Sequence, residues 1–269
     1  MHLHSRLVLL ALLASPLPAF AADALPEHPL LTDKFRVSLG GFYAESTTQA
    51  RLAASNGGVG ADVSLEDALG LDVRQLIGEA QAYWRFGERW RLDMTYFNLD
   101  RSASRQLSAD VTWGDNTYTA GTTVNSNFKV SDLRAAAGYS LFRTQDKELG
   151  IGGGLHVTGF KVGLDASGVG ARSESVTAPL PFLTLYANIA FTDRWAFSAR
   201  SDWLSLAYDK YAGSIRASAV DIVYQPWRHF ALGFGVHNLT LRVDVDNPHS
   251  QFGARMVLQG PAAFASYSF

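Results

Sequence analysis

Along most of the chain, apolar side chains recur at every second position. Ala80, Ala82, Trp84 and Phe86 alternate with Gln81, Tyr83 and Arg85; Gly87 and Glu88 turn the chain; and Trp90, Leu92, Met94 and Tyr96 alternate with Arg91, Asp93 and Thr95. A period of two puts successive side chains on opposite faces of a strand, so this stretch predicts a hairpin with one apolar and one charged face. An aromatic residue stands on each side of the polar turn, and the arrangement recurs at Phe191 to Trp195 and at Tyr224 to Phe230.

The alternation starts at Lys34, where Phe35, Val37, Leu39 and Tyr43 oppose Arg36, Ser38 and Gly40, and it returns in segments as far as Phe269. It predicts about ten strands, within bounds of eight to twelve. The turns at 87–88, 143–148, 192–194 and 226–228 are short, and the loops at 53–70 and 165–178 are long. Asn56-Gly57-Gly58 has loop chemistry, whereas Ser64-Leu-Glu-Asp67 followed by Gly70 predicts one capped helical turn. Gly114-Asp115-Asn116, Asp209 to Gly213 and Asp246 to His249 read as hairpin tips.

Even strand number, alternating short and long connections and aromatic girdles together predict an all-β fold, a closed antiparallel transmembrane β-barrel. Closure pairs every backbone group and leaves no edge in lipid. The rival architecture is a soluble periplasmic barrel resembling a lipocalin, with the charged face in water, and the aromatics beside the turns disfavour it. One parity defect is expected: Met256 and Leu258 share a face with Tyr267 and Phe269 only if a residue bulges, most naturally at Gly260-Pro261.

The first residues carry His2, His4 and Arg6, an apolar run from Leu7 to Leu13 and a small-residue site at Ala19-Phe20-Ala21, the pattern of a signal peptide (1–21) cleaved after Ala21. A periplasmic leader (22–33) with Pro26 and Pro29 and the barrel (34–269) follow. No stretch approaches the roughly 20 apolar residues of a membrane helix. Cysteine is absent, so no disulfide staples the chain, and the 23 basic residues are scattered among 25 acidic ones, which disfavours a nucleic-acid partner. The glycines at 150, 152, 153 and 154 fall inside a strand rather than in a phosphate loop, and no cofactor motif is seen.

Trp84, Phe86, Trp90, Phe191, Trp195, Tyr224 and Phe230 are the expected membrane girdle. Parity sends Arg36, Glu79, Arg85, Arg91, Asp93, Asp132, Arg134, Arg200, Asp202, Asp221 and Arg255 into the lumen. A ten-strand interior is narrow, so these charges must pair; the outcome is either an internal ion-pair plug, or a narrow polar pore or a ligand pocket in the outer half. His156 and His237 also point inward, with Thr158 and Asn238 nearby, and are the weak candidates for general-base chemistry. Leu239, Leu241, Val243 and Val245 give the outer lumen an apolar wall, either packing under the loop at 53–70 or holding a lipid tail or small hydrophobic molecule. Asp244-Val-Asp246-Asn247 lacks the rest of a calcium loop, so no metal site is expected.

The ending Tyr267-Ser-Phe269 resembles the terminal signature of Gram-negative outer-membrane proteins, and the chain is similar to the small-barrel group of OmpA, OmpW and omptin types. The resemblance implies residence in the outer membrane, contact with its lipid and lipopolysaccharide, and recognition of Tyr267 and Phe269 by the barrel assembly machinery. Ser201-Asp202-Trp203 resembles omptins, but their Asp-x-His arrangement is missing. The His-x-Ser-Asn pattern of lipid A deacylase barrels is met only by His237-Asn238-Leu239-Thr240, which lacks the serine. The expected function is a structural or surface-interaction barrel with a charge-filled lumen. The alternatives are a narrow pore or carrier for small or hydrophobic molecules, and a lipid-modifying enzyme.

Overall fold

The computed structural model describes residues 28–52, 62–113, 116–208, 211–247 and 250–269. The expected signal peptide with its cleavage site, most of the expected leader, Asn56-Gly57-Gly58 and parts of three expected hairpin tips (Gly114-Asp115, Asp209-Lys210 and Pro248-His249) lie outside the described residues. The elements in order are α1 (Pro29–Thr32), β1 (Phe35–Leu52), β2 (Asp62–Ser64), α2 (Leu65–Leu69), β3 (Arg74–Phe86), β4 (Trp90–Gln106), β5 (Val111–Trp113), β6 (Asn116–Tyr118), β7 (Thr123–Arg143), β8 (Lys147–Ala166), β9 (Gly170–Ala190), β10 (Trp195–Tyr208), β11 (Tyr211–Trp227), β12 (Phe230–Asn247) and β13 (Ser250–Ser268).

Ten of the strands form one antiparallel barrel, each paired with its sequence neighbour, and β13 returns to β1 from Arg36↔Ser268 to Leu52↔Phe252. The short strands β2, β5 and β6 belong to the outer loops. The alternation expected from the sequence holds: Val37, Leu39, Tyr43, Leu133, Ile151, Leu155 and Val236 are exposed on the outer surface, whereas Arg85, Arg134, His156 and Asp202 are buried inside. So broad an apolar exterior is suited to lipid and not to water.

At the periplasmic rim the girdle is a continuous chain of rings. Tyr139, Trp90, Phe86, Trp84, Phe35, Phe269 and Tyr267 touch in that order, at centroid separations of 5.0–6.3 Å. Trp195 packs on Tyr224 at 4.6 Å and Trp227 on Phe230 at 5.5 Å. Phe35, Tyr139 and Trp227 thus join the residues expected there.

Three expectations change. No bulge occurs at Gly260-Pro261, because the β12–β13 register runs unbroken from Phe230↔Tyr267 to Asn247↔Ser250. Met256 and Leu258 are fully buried in the lumen, while Tyr267 and Phe269 face out. The inward face itself turns apolar in the outer half of the barrel, so apolar residues there mark the inside. Register shifts fall instead between Ser140 and Phe142 and between Tyr224 and Trp227, both beside periplasmic turns.

Second, residues 165–178 are not a long loop. β8 and β9 stay paired to Ala166↔Gly170 and leave a turn of 167–169. Over 170–175 both faces of β9 are largely exposed, so the alternation vanishes there although the backbone ladder persists. Third, the leader carries a structured end: Leu30 and Leu31 of α1 are buried against Ala190, Ala196, Val223 and Ala231 at the periplasmic mouth. Arg143 donates to the Leu31 carbonyl at 2.8 Å, and Ser268 donates to Asp33 at 2.6 Å, holding α1 in place.

The outer mouth is also covered. Ser64 caps α2 by accepting from the Asp67 N–H at 3.2 Å, and Gly70 ends it in the left-handed region at φ 73°. Leu65 and Leu69 of α2 and Trp113 and Tyr118 of the β5–β6 hairpin pack onto Phe128, Phe160, Leu239, Leu241, Met256 and Leu258. The wall of Leu239, Leu241 and Val243 therefore packs beneath the loops, as one of its two readings holds.

Candidate functional site

The lumen between these two lids is a layered network of charge. Nearest the periplasm, Glu148 is the hub: Arg85 Nη2 donates to both of its oxygens at 2.8 and 2.9 Å, Asn188 donates at 3.0 Å, Ser140 also donates, and Arg91 lies at 3.6 Å. Arg91 binds Asp93 with two donors at 2.8 and 2.7 Å, and its guanidinium lies 3.8 Å from the centre of the Tyr186 ring and 5.0 Å from that of Tyr83. Arg36 covers the Tyr83 ring at 4.8 Å. The planar guanidinium lets arginine combine paired donation with stacking, which a lysine would not do.

One layer further out, Arg134 donates to Asp202 at 2.7 and 3.0 Å, and Arg200 donates to Thr95 at 3.2 Å. Nδ1 of His156 stands 2.7 Å from Asp132, which also accepts from Thr158, while its Nε2 stands 3.8 Å from Asp202. His237 lies 3.1 Å from Asp221 and 3.9 Å from Glu79, and Gln81 donates to Glu79. Beneath the outer lid, Arg101 donates to Glu66 at 2.6 Å and to Thr48.

The structure thus brings together ten of the eleven residues assigned to the lumen. Arg255 is the correction: it sits between the lumenal Ala254 and Met256, so it projects outward, where it is exposed opposite Arg242. Its inward assignment required the bulge that does not exist. Glu148, Tyr186 and the Arg101–Glu66 pair were not anticipated. Glu148 was counted with the turn, although carrying the parity of Gly152 and Gly150 two residues back would have placed it inside.

Both histidines are enclosed within the ion-pair network, the side chain of His237 being 9% exposed. The His156 side chain is only 4% exposed, and its neighbours are carboxylates, Thr158 and the Phe182 ring, edge-on at 4.8 Å. Of Ser201-Asp202-Trp203, only Asp202 is inside; Ser201 and Trp203 are exposed on the outer face. Among the described residues no cluster of three or more His, Asp or Glu has the arrangement of a metal site. Spaces within the network measure about 70, 40 and 30 Å³, room for a few waters each.

The glycines of β8 are needed for this packing. A Cβ built on Gly150 would lie 2.2 Å from the Tyr186 ring and 2.6 Å from the Tyr139 carbonyl. Gly150→Val is therefore expected to displace Tyr186 from Arg91 and to destabilise the folded barrel by about 1–3 kcal/mol, the usual cost of overpacking. Urea unfolding in lipid vesicles checks this, and an unchanged midpoint would show that the stack does not depend on the space.

No protein-family profile matches the sequence, and comparison with curated protein sequences finds no match. Among solved structures, the outer membrane protease OmpT from Escherichia coli aligns with a TM-score of 0.57 at 9% identity, covering 88% of this chain and 97% of that one. A Pseudomonas aeruginosa FadL homologue aligns at 0.38 and 10% identity over 91% and 93% of the two chains. Ail of Yersinia pestis, in complex with a heparin analogue, aligns at 0.35 and 10% identity over 85% and 99%. At such identities the first likeness concerns the fold alone: the chain has the closed, ten-strand antiparallel barrel architecture found in bacterial outer-membrane proteins.

Proposed function

We propose that the protein is an exported, integral outer-membrane barrel with an occluded lumen, serving a structural or surface-interaction role and neither conducting solutes nor catalysing a reaction. The supporting observation is the series of barriers along the axis. Leu30 and Leu31 fill the periplasmic mouth, the ion pairs around Glu148 and Asp202 fill the middle, and Trp113, Tyr118, Leu65 and Leu69 cover the outer half. Buried charges hydrogen-bonded from several sides are held rigid and leave little freedom for an ion to replace a partner. Export with cleavage after Ala21, exposure to lipopolysaccharide, and reading of Tyr267 and Phe269 during assembly belong to this proposal.

Planar-bilayer recording tests it. The refolded full chain is expected to give no single-channel steps at any voltage, and Arg200→Ala is expected to leave it silent. Steady conductance that changes on neutralising Arg200 would replace the occluded barrel by a narrow pore.

A further inference from the structure

We propose that the wall between β9 and β10 opens, at its outer end, into a lateral site for one acyl chain of an outer-leaflet lipid, an inference resting on the membrane placement proposed above. The ladder between these strands runs only from Ala196↔Ala190 to Trp203↔Leu183. Further out, β9 stays paired with β8 to Gly170 and β10 with β11 to Tyr208, so the two strands part. Pro179 and Pro181 account for this. Proline has no N–H to donate, and residues two apart in a strand direct that group to the same neighbour. On β9 the even-numbered residues donate to the β8 side, as the Ala190 N–H does to the Asp146 carbonyl at 2.7 Å, and the β8–β9 register runs without a shift through Val157↔Pro179 and Leu155↔Pro181, so the donors missing at these odd-numbered prolines are those that β10 would have used.

Behind the split lies a cavity of about 400 Å³, walled mainly by apolar side chains such as Ala178, Leu180, Leu204, Leu206 and Ile215, with Asp244 also lining it, within the roughly 300–1,000 Å³ of ordinary ligand sites. Leu206 has the inward parity of Asp202 and Leu204, yet it is 51% exposed. The floor is closed: Ile215 and Phe182 are buried, and Arg134 lies under the Phe182 ring at 4.9 Å. The cavity therefore ends above the ion pairs, and a guest enters and leaves by the same opening.

A parted wall need not stay open. β3 and β4 are paired outward only to Glu79↔Phe97, but there Arg101 binds Glu66 and the Asp72 carbonyl while Gln75 donates to the Asp100 carbonyl at 3.1 Å, sealing the gap. The β9–β10 opening is bordered instead by aliphatic side chains.

Position and charge select the occupant. Trp203 and Leu183, both exposed, form the last paired rung and end the apolar belt on these strands, so the opening meets the end of the membrane where acyl chains join their headgroups. On the β11–β12 side of the rim stand exposed Arg216, opposite Trp203, and exposed Arg242, opposite Ser214, with Asp244 bonded to Arg242 at 2.7 Å. Among the described residues there, these two guanidiniums, with Arg255 exposed opposite Arg242, outnumber the carboxylate of Asp244, which suits the phosphate of an anionic lipid.

The test uses the full chain refolded in vesicles containing phosphatidylglycerol with a photoreactive diazirine in one acyl chain, with cross-links mapped by mass spectrometry. Labels are expected on the inward-facing Leu204, Leu206 and Ile215 as well as on the lipid-facing Leu183 and Trp203. Ala178→Phe, which fills the cavity, is expected to cut the inward labels at least tenfold and leave the lipid-facing ones unchanged. Pro179→Thr/Pro181→Thr, which restores the donors, is expected to do the same by letting the ladder close; both variants are checked for folding by heat-modifiable migration. Labels confined to Leu183 and Trp203, or inward labels that survive Ala178→Phe, overturn the site while leaving the barrel in its membrane. Absence of labels at Leu183 and Trp203 overturns the membrane placement itself. Uptake of radiolabelled toluene from water in the absence of any inward lipid label would replace the lipid by a water-borne guest and also overturn the assignment.

Discussion

Replacing Glu148 by alanine is expected to destabilise the folded barrel by about 3–5 kcal/mol, the usual cost of breaking one partner out of a buried ion pair. Arg85 would keep its charge with its side chain 2% exposed, and Arg91 would lose its second carboxylate neighbour. Asn188 and Ser140 would lose an acceptor at the same time. Glu148→Gln retains hydrogen-bonding capacity without the charge, so its effect should fall between those of wild type and alanine. The contrast is Asp100→Ala, which breaks the pair with Lys129, half exposed on both sides; it should cost less than about 1 kcal/mol. Urea unfolding in vesicles, followed by tryptophan fluorescence, ranks the three. Equal midpoints for wild type and Glu148→Ala would remove the network from any account of stability.

Deleting Phe269 is expected to be nearly as damaging, by about 2–4 kcal/mol. The residue closes the seam: its N–H donates to the Phe35 carbonyl and its carbonyl accepts from the Phe35 N–H, both at 2.9 Å. Its ring stacks on Phe35 at 5.5 Å and touches Tyr267 at 6.2 Å. Phe269→Ala keeps both backbone bonds and loses only the rings, so it should recover about half of the loss. The refolded fraction in vesicles of defined lipid measures this without assembly factors. If the deletion refolds normally in vitro yet fails to accumulate in cells, the residue acts through recognition rather than through the seam.

The barrel was legible because lipid outside and a polar lumen inside write themselves as a period of two, as in Ala80 to Tyr96. Wherever one of those environments changes, the pattern misleads. At Met256 and Leu258 the lumen is apolar, so the inside looked like the outside, and a bulge was invoked that then carried Arg255 to the wrong face. At 170–175 both faces are largely exposed and the residues are small or polar, so paired strands looked like a loop. Parity reached ten lumenal charges but neither Glu148 nor the Arg101–Glu66 pair, and it did not give partner choice: Arg134 and Asp202, or Arg85 and Glu148, stand far apart along the chain and meet only across the closed lumen. The opening between β9 and β10 was present in the sequence as Pro179 and Pro181, and it acquires meaning only once both neighbours of that strand are known.

The claim on which the rest depends is that the chain forms a closed barrel in the outer membrane. Fractionating cells that express it and running each fraction on a denaturing gel with and without boiling tests this most directly. A band confined to the outer-membrane fraction, migrating faster unboiled than boiled, is the result expected of ten strands closed at β1 and β13. A soluble periplasmic species whose migration is the same before and after boiling would contradict it.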